Sequence, residues 1–150
     1  MTRTYLSSPP VSAFTLLGGM EVLHAQPRAL MDWIPLVRRG LPAASVEAIT
    51  RLTHIAQSEL ARALAIPERT LARRKREGLL SAEESAKFVR FARVVERAEE
   101  VFEDGAHALA WLKTENSSLG DVTPLSLMDT DLGADTVLDI LGRIEHGVFA

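Results

Sequence analysis

Twenty-three residues in the middle of this chain, SAEESAKFVRFARVVERAEEVFE from Ser81 to Glu103, have one regular structure open to them. Phe88, Phe91, Val95, Ala98 and Phe102 recur at intervals of three and four, with Val94 and Val101 widening the stripe. That spacing lines one side of an α-helix and no side of a strand. Ser81 and Glu84 form a capping box at its start: the hydroxyl takes the amide three residues on, and the carboxylate reaches back. Glu83 and Lys87 add a supporting pair one turn apart on the polar side.

The remaining segments carry the same period in shorter pieces. Pro42 opens a helix reaching about Thr53, with Val46, Ile49, Leu52 and Thr53 inward. Gln57 to Leu64 follows, with Leu60, Ala61 and Leu64 inward. Pro67 then starts a helix that runs to Glu77 and ends at Gly78. Beyond Asp104-Gly105, read as a break, Ala106–Lys113 makes a short helix, and Thr123 caps another over Pro124–Met128. The last spans about Gly133 to His146, with Val137, Ile140, Leu141 and Ile144 inward. Asp131 and Asp135 at its start and Arg143 and His146 at its end suit the helix dipole, and Gly147 stops it.

Residues 1–40 are punctuated by Pro9-Pro10, Gly18-Gly19, Pro27 and Pro35, so their helices are short: Gly19–Ala25 and Pro27–Arg38, the latter with Leu30, Trp33, Ile34 and Val37 inward. The first ten residues are expected to be mobile. No segment alternates as a strand does, so the expected fold class is all-α. Three regions follow: an N-terminal extension over 1–40, a helix-turn-helix over 41–80 and a small helical domain over 81–150.

The 150 residues contain no cysteine, which excludes disulfides, thiol nucleophiles and thiolate metal sites. No apolar run approaches the roughly 20 residues of a membrane span, and the N-terminus lacks the apolar core of a signal peptide. A soluble, cytoplasmic protein with no membrane partner is expected. His24, His54, His107 and His146 are scattered, with no HExxH and no acidic cluster at ligand spacing. Gly18-Gly19 is not followed by the Gly-Lys-Ser/Thr of a phosphate loop. The reading therefore assigns no catalytic residue, no metal and no cofactor, and not an enzyme.

Charge points elsewhere. The net charge is −3, yet residues 1–80 hold 11 Lys and Arg against 6 Asp and Glu, while residues 81–150 hold 6 against 14. Two surfaces with different partners are implied. The positive charge concentrates in AIPERTLARRKREG, the second helix of a segment, Gln57 to Gly78, with helix-turn-helix spacing. Glu68, Arg69, Thr70 and Arg73 lie in the half of a recognition helix that meets base edges; Arg74, Lys75 and Arg76 lie where phosphates are met. Ala65 stands in the turn where glycine is usual, and Arg74 at a position often apolar. The plain alternative is a solvated basic helix.

From Leu80 onward, the chain resembles the toxin-binding domain of the Xre/MbcA/ParS family of antitoxins. The residues that carry the resemblance are Leu80-Ser81-x-x-Glu84-Ser85, Ala110-Trp111-Leu112, Asn116-x-x-Leu119-Gly120, Thr123-Pro124-Leu125, Asp129-Thr130-x-x-Gly133 and Leu141-Gly142-Arg143-Ile144-Glu145-x-Gly147. With the helix-turn-helix upstream, the likeness covers about Leu41 to Ala150. It implies an antitoxin that binds a RES-domain, NAD-degrading toxin and covers its active site with the C-terminal end. It also implies repression of its own operon at an operator DNA. The residues implied in toxin binding are Arg143, Glu145, His146, Gly147, Val148, Phe149 and Ala150. On physics alone, Val148 and Phe149 either fold onto the chain's own core or present an apolar anchor to a partner; the resemblance favours the partner. A homodimer built through the helix-turn-helix is expected, reading half-sites roughly 34–36 Å apart, within a larger toxin–antitoxin complex. The alternative is a stand-alone regulator whose C-terminal domain senses a ligand or dimerises.

Overall fold

The computed structural model describes residues 11–147. The expected mobility of the first ten residues and the tail Val148-Phe149-Ala150 lie outside them. Among the described residues every regular element is helical, and the only β pairing is in two isolated bridges. In chain order the α-helices are α1 (Ala13–Leu16), α2 (Gly19–Leu23), α3 (Leu30–Arg39), α4 (Ala44–Thr53), α5 (Gln57–Ala63), α6 (Glu68–Glu77), α7 (Ala82–Phe102), α8 (Gly105–Leu112) and α9 (Asp131–Glu145). Short 3-10 turns at Ser117–Leu119 and Pro124–Leu127 lie between α8 and α9.

The described residues divide into two compact units, Ala13–Ala92 and a second comprising residues 93–147 with Val11 and Ser12. α7 runs through the boundary. The first unit buries Leu16, Leu17, Trp33, Leu36, Val46, Ile49, Leu60, Leu64, Leu71, Phe88 and Phe91. α1 and α2 pack on α4, so residues 13–40 share this core with the helix-turn-helix. Two buried polar bonds fix the packing. Ser45 donates its hydroxyl to the carbonyl of Leu17 at 2.6 Å, and the Leu41 amide donates to Ser85 Oγ at 2.8 Å. Burial of a hydroxyl is tolerable only with such a partner.

The chain closes on itself where α4 begins and α6 ends. Leu80 N–H donates to Leu41 O at 2.9 Å, and Ala43 N–H to Gly78 O at 3.0 Å, around the antiparallel bridge Pro42–Leu79. Gly40 makes that closure possible. Its φ is 98°, and a Cβ there would stand 2.3 Å from Leu80 O.

Two side chains read as inward face solvent: Leu30 is 57% exposed and Leu52 40%. Leu52 sits about 100° round the helix from Thr53, off the Val46–Ile49–Thr53 side. Leu30 is the first residue of α3, where no earlier turn extends the buried face formed by Trp33 and Leu36. Phe102, read as part of the buried stripe, is only half-buried. It lies beside His107 and Trp111, with ring centroids 4.5 and 5.6 Å away.

In the second unit Val94, Val95, Ala98, Ala108, Leu112, Leu125, Met128, Ala134, Val137 and Leu141 are buried. The chain breaks between α7 and α8 as expected, and α8 starts one residue early, at Gly105, because Asp104 caps it by accepting the Ala106 amide at 3.2 Å. α9 likewise starts earlier than Gly133. Thr130 caps it, its Oγ1 accepting the Gly133 amide at 2.9 Å. A Cβ on Gly133 would fall 1.9 Å from Leu127 O, so the glycine lets the 3-10 turn lie against the helix. Asn116 and Thr123 cap the two 3-10 turns in the same manner.

Candidate functional site

The basic helix is held from beneath and open above. Leu71 is fully buried and fixes the rotation of α6. Glu68, Arg69, Arg73, Lys75 and Arg76 are exposed, Thr70 and Arg74 half-buried. The turn from α5 places Ala65 at φ 56°, the left-handed region that favours glycine. Lys87 braces that turn, donating to Ala65 O at 3.3 Å.

Arg74 faces inward for a reason. Its Nε and Nη2 donate to the two carboxylate oxygens of Glu84 at 2.8 and 3.1 Å, and Nη1 reaches Glu77 at 3.1 Å. Glu84 also accepts the Ser81 amide at 2.9 Å, while Ser81 Oγ accepts the Glu84 amide at 3.1 Å. The capping box of α7 therefore doubles as the clamp on α6. Burial pushes the Glu84 carboxyl up, but the bonds from Arg74 and Ser81 outweigh it and leave its pKa below the ordinary value. The polar residue at an often apolar position is thus a fork–fork ion pair, the strongest geometry available to that pairing.

The C-terminal candidates lie at the end of α9. Arg143, Glu145, His146 and Gly147 are all exposed. Arg143 meets Asp139 only at 3.7 Å, whereas Glu145 is gripped by Arg97, which also bonds Glu100. Arg97's hydrogen bond holds the Glu145 carboxyl below its usual pKa. His146 faces the Gly142 carbonyl at 3.1 Å, and Gly147 adopts φ 71°, so the helix ends there in a left-handed cap. Val148, Phe149 and Ala150 are beyond the described residues.

The other histidines take local roles. His24 and His54 cap α2 and α4 with left-handed backbones, and His107 stacks on Phe102. Among the described residues no three of His, Asp and Glu converge as metal ligands, and no helix is long and apolar enough to cross a membrane. The clamp from Glu84 to Arg74 is the feature sequence reasoning missed. An arginine standing among apolar turn positions, ten residues before a capping glutamate, was the available signal.

Two buried-face helices with a cationic second member, followed by a separate helical unit, define a helix-turn-helix protein with a C-terminal domain of its own. Residues 32–93 match the antitoxin Xre-like helix-turn-helix domain, and residues 97–147 match the antitoxin Xre/MbcA/ParS C-terminal toxin-binding domain. The chain is 37% identical over 150 residues to an "Antitoxin Xre" of Yersinia enterocolitica, covering 99% of each chain. A second "Antitoxin Xre", of Photorhabdus laumondii, is 36% identical over 115 residues, 75% of this chain and 78% of that one. A "Prs ADP-ribosylating antitoxin" of a Sphingobium species is 28% identical over 130 residues, 80% and 82% of the two. The chain belongs to the Xre/MbcA/ParS family of antitoxins.

Proposed function

We propose that this antitoxin inhibits an NAD-degrading, RES-domain toxin by laying its C-terminal end over the toxin's active site, and that it represses its own operon through α6. The observation that carries the first half is the toxin-binding match over residues 97–147, which ends on the exposed candidates Arg143, Glu145, His146 and Gly147. Arg143 and His146 offer cationic and hydrogen-bonding groups, and Val148-Phe149-Ala150 adds apolar residues beyond them. Glu145 contributes by holding the end of α9 to Arg97 as well as by its exposed edge.

Repression is supported by the exposed Glu68, Arg69 and Arg73, with the half-buried Thr70 among them and the exposed Lys75 and Arg76 beyond. An α-helix fits the major groove, and each phosphate neutralised adds counterion release. Arg74, already held by Glu84, keeps the helix at its working angle and lends its charge from there. The protein acts as a homodimer through its first unit, in the cytoplasm, and the inhibited toxin joins it in a larger complex.

The test is co-expression with a RES-domain toxin, sought first in the neighbouring reading frame, purification by a tag on one partner, and NAD consumption by the toxin titrated with antitoxin. Deleting Val148–Ala150 should weaken inhibition more than binding. Equal inhibition curves for full-length and truncated chains would remove the covering mechanism. Light scattering should give a dimer at micromolar concentration; a monomer, alone and with toxin, would contradict the assembly.

A further inference from the structure

Two glycines interrupt α9, and the fold explains only one. Gly133 is enforced by the carbonyl of Leu127, which a Cβ would meet at 1.9 Å. Gly142 lies two turns further on with ordinary helical backbone, and a Cβ there would meet nothing within 4 Å. Glycine inside a helix is a poor choice when alanine fits, because it sacrifices backbone entropy for no packing. Nothing within this unit recovers that loss.

The surface around Gly142 supplies the other half of the argument. Leu138, Asp139, Gly142, Arg143 and His146, all on α9 or its C-cap, line a shallow, largely open groove along the helix surface. Leu138 gives it an apolar side chain, Gly142 bare backbone, and Arg143 and His146 polar groups. Among the described residues Arg143 has a loose ion pair to Asp139 at 3.7 Å, so the guanidinium can exchange it for a better acceptor. The groove is continuous with the exposed end of α9 and lies inside the residues matching a toxin-binding domain.

We infer that Gly142 is a close-approach point for the toxin: a backbone segment of the partner lies in this groove against the bare helix, with an acidic or carbonyl group taken by Arg143. Glycine's value there is the distance it allows between two main chains. This rests on the toxin-binding reading above and adds a second contact, on the side of α9 rather than beyond its end. The groove binds, and the terminal residues cover the active site.

The variants are Gly142→Ala and Gly142→Gln in the full chain, assayed for affinity to the same RES-domain toxin by calorimetry. Gly142→Ala should raise the antitoxin's Tm by about 3 °C, as expected for removing a helical glycine from a domain of this size. Gly142→Gln keeps the helix and should weaken toxin binding by roughly tenfold or more, the scale of inserting excess volume into a packed contact. Circular dichroism and operator binding should be unchanged for both. If the wild-type chain binds the toxin and Gly142→Gln binds it equally, the groove is not an interface, and the inhibitory reading survives. If the wild-type chain does not bind that protein, the inhibitory reading and this inference fall together. Binding lost only with Val148–Ala150 deleted, and never with Gly142→Gln, also overturns the inference.

Discussion

Single residues in this protein show where the fold accepts strain and where it avoids it. Ala65 holds φ 56° at an exposed position in the helix-turn-helix turn. A side chain in that region costs about 1 kcal/mol relative to glycine, and glycine returns roughly half of that through the freer unfolded chain. Ala65→Gly should therefore stabilise the protein by about 0.5 kcal/mol, read as a higher urea midpoint at unchanged slope. A lower midpoint would mean the backbone is not held left-handed there. The departure from glycine was visible in the sequence; that the turn keeps its geometry regardless was not, because the bracing from Lys87 comes from a helix 22 residues away in the chain. Glu84 makes a second case. Its pKa is lowered in the folded state, so its contribution is present above the unfolded carboxylate value and is lost as pH falls through the folded one. Glu84→Gln should cost about 1 kcal/mol at pH 7 once solvent screening at this partly open site is allowed for. It should also flatten the loss of stability that the wild type shows on acidification below about pH 4.5. Parallel pH profiles for the two proteins would show that the Arg74 clamp does not tune stability.

At the level of elements, periodicity and caps located the helices well. Ser81–Glu84, Thr123, Gly78 and Gly147 were all read from sequence as boundaries, and each has the geometry that its residue type favours. At Asp104-Gly105 the expected break between two helices is present, with α8 starting one residue earlier than read because Asp104 caps it; α1 was missed, four residues being too few to announce a helix. Reading failed for Leu30 and Leu52, since a helical period tells which residues share a side but not how wide the buried side is. The row of basic residues on α6 was legible as a pattern; which of them is diverted inward was not, because that depends on Glu84 in another helix. This division yields a prediction for the helix as a unit. Arg69→Ala, near the exposed N-terminal half, should cost about 1–3 kcal/mol of operator affinity and relax base preference. Arg76→Ala, in the last turn, should weaken binding to all sequences alike and reduce the salt dependence by about one unit of slope. A gel-shift titration in which neither change matters would leave α6 as a solvated cationic face.

For the whole molecule the question is whether the two activities proposed for it are separable. The helix-turn-helix match ends at residue 93 and the toxin-binding match begins at 97, and the compact units divide between Ala92 and Arg93. Each unit has its own buried core and its own exposed row of candidate residues. What they share is α7, a single uninterrupted helix. Substitutions with no common partner usually add in free energy. Arg69→Ala should accordingly leave toxin inhibition at the wild-type titration curve, and deletion of Val148–Ala150 should leave operator affinity unchanged at fixed salt. The protein carrying both changes should show each deficit at the size found alone, within about 0.5 kcal/mol. A coupling larger than that would require the two units to communicate. α7 would then be the element to examine, because strain at one end of a continuous helix is felt along its hydrogen bonds. The decisive measurement is operator affinity of the protein with and without saturating toxin, for wild type and for Glu84→Gln. If toxin shifts DNA affinity in the wild type and the shift disappears when the clamp at the start of α7 is weakened, the helix transmits binding and independence is wrong. If toxin shifts neither, the molecule is two devices on one chain, each open to alteration without the other.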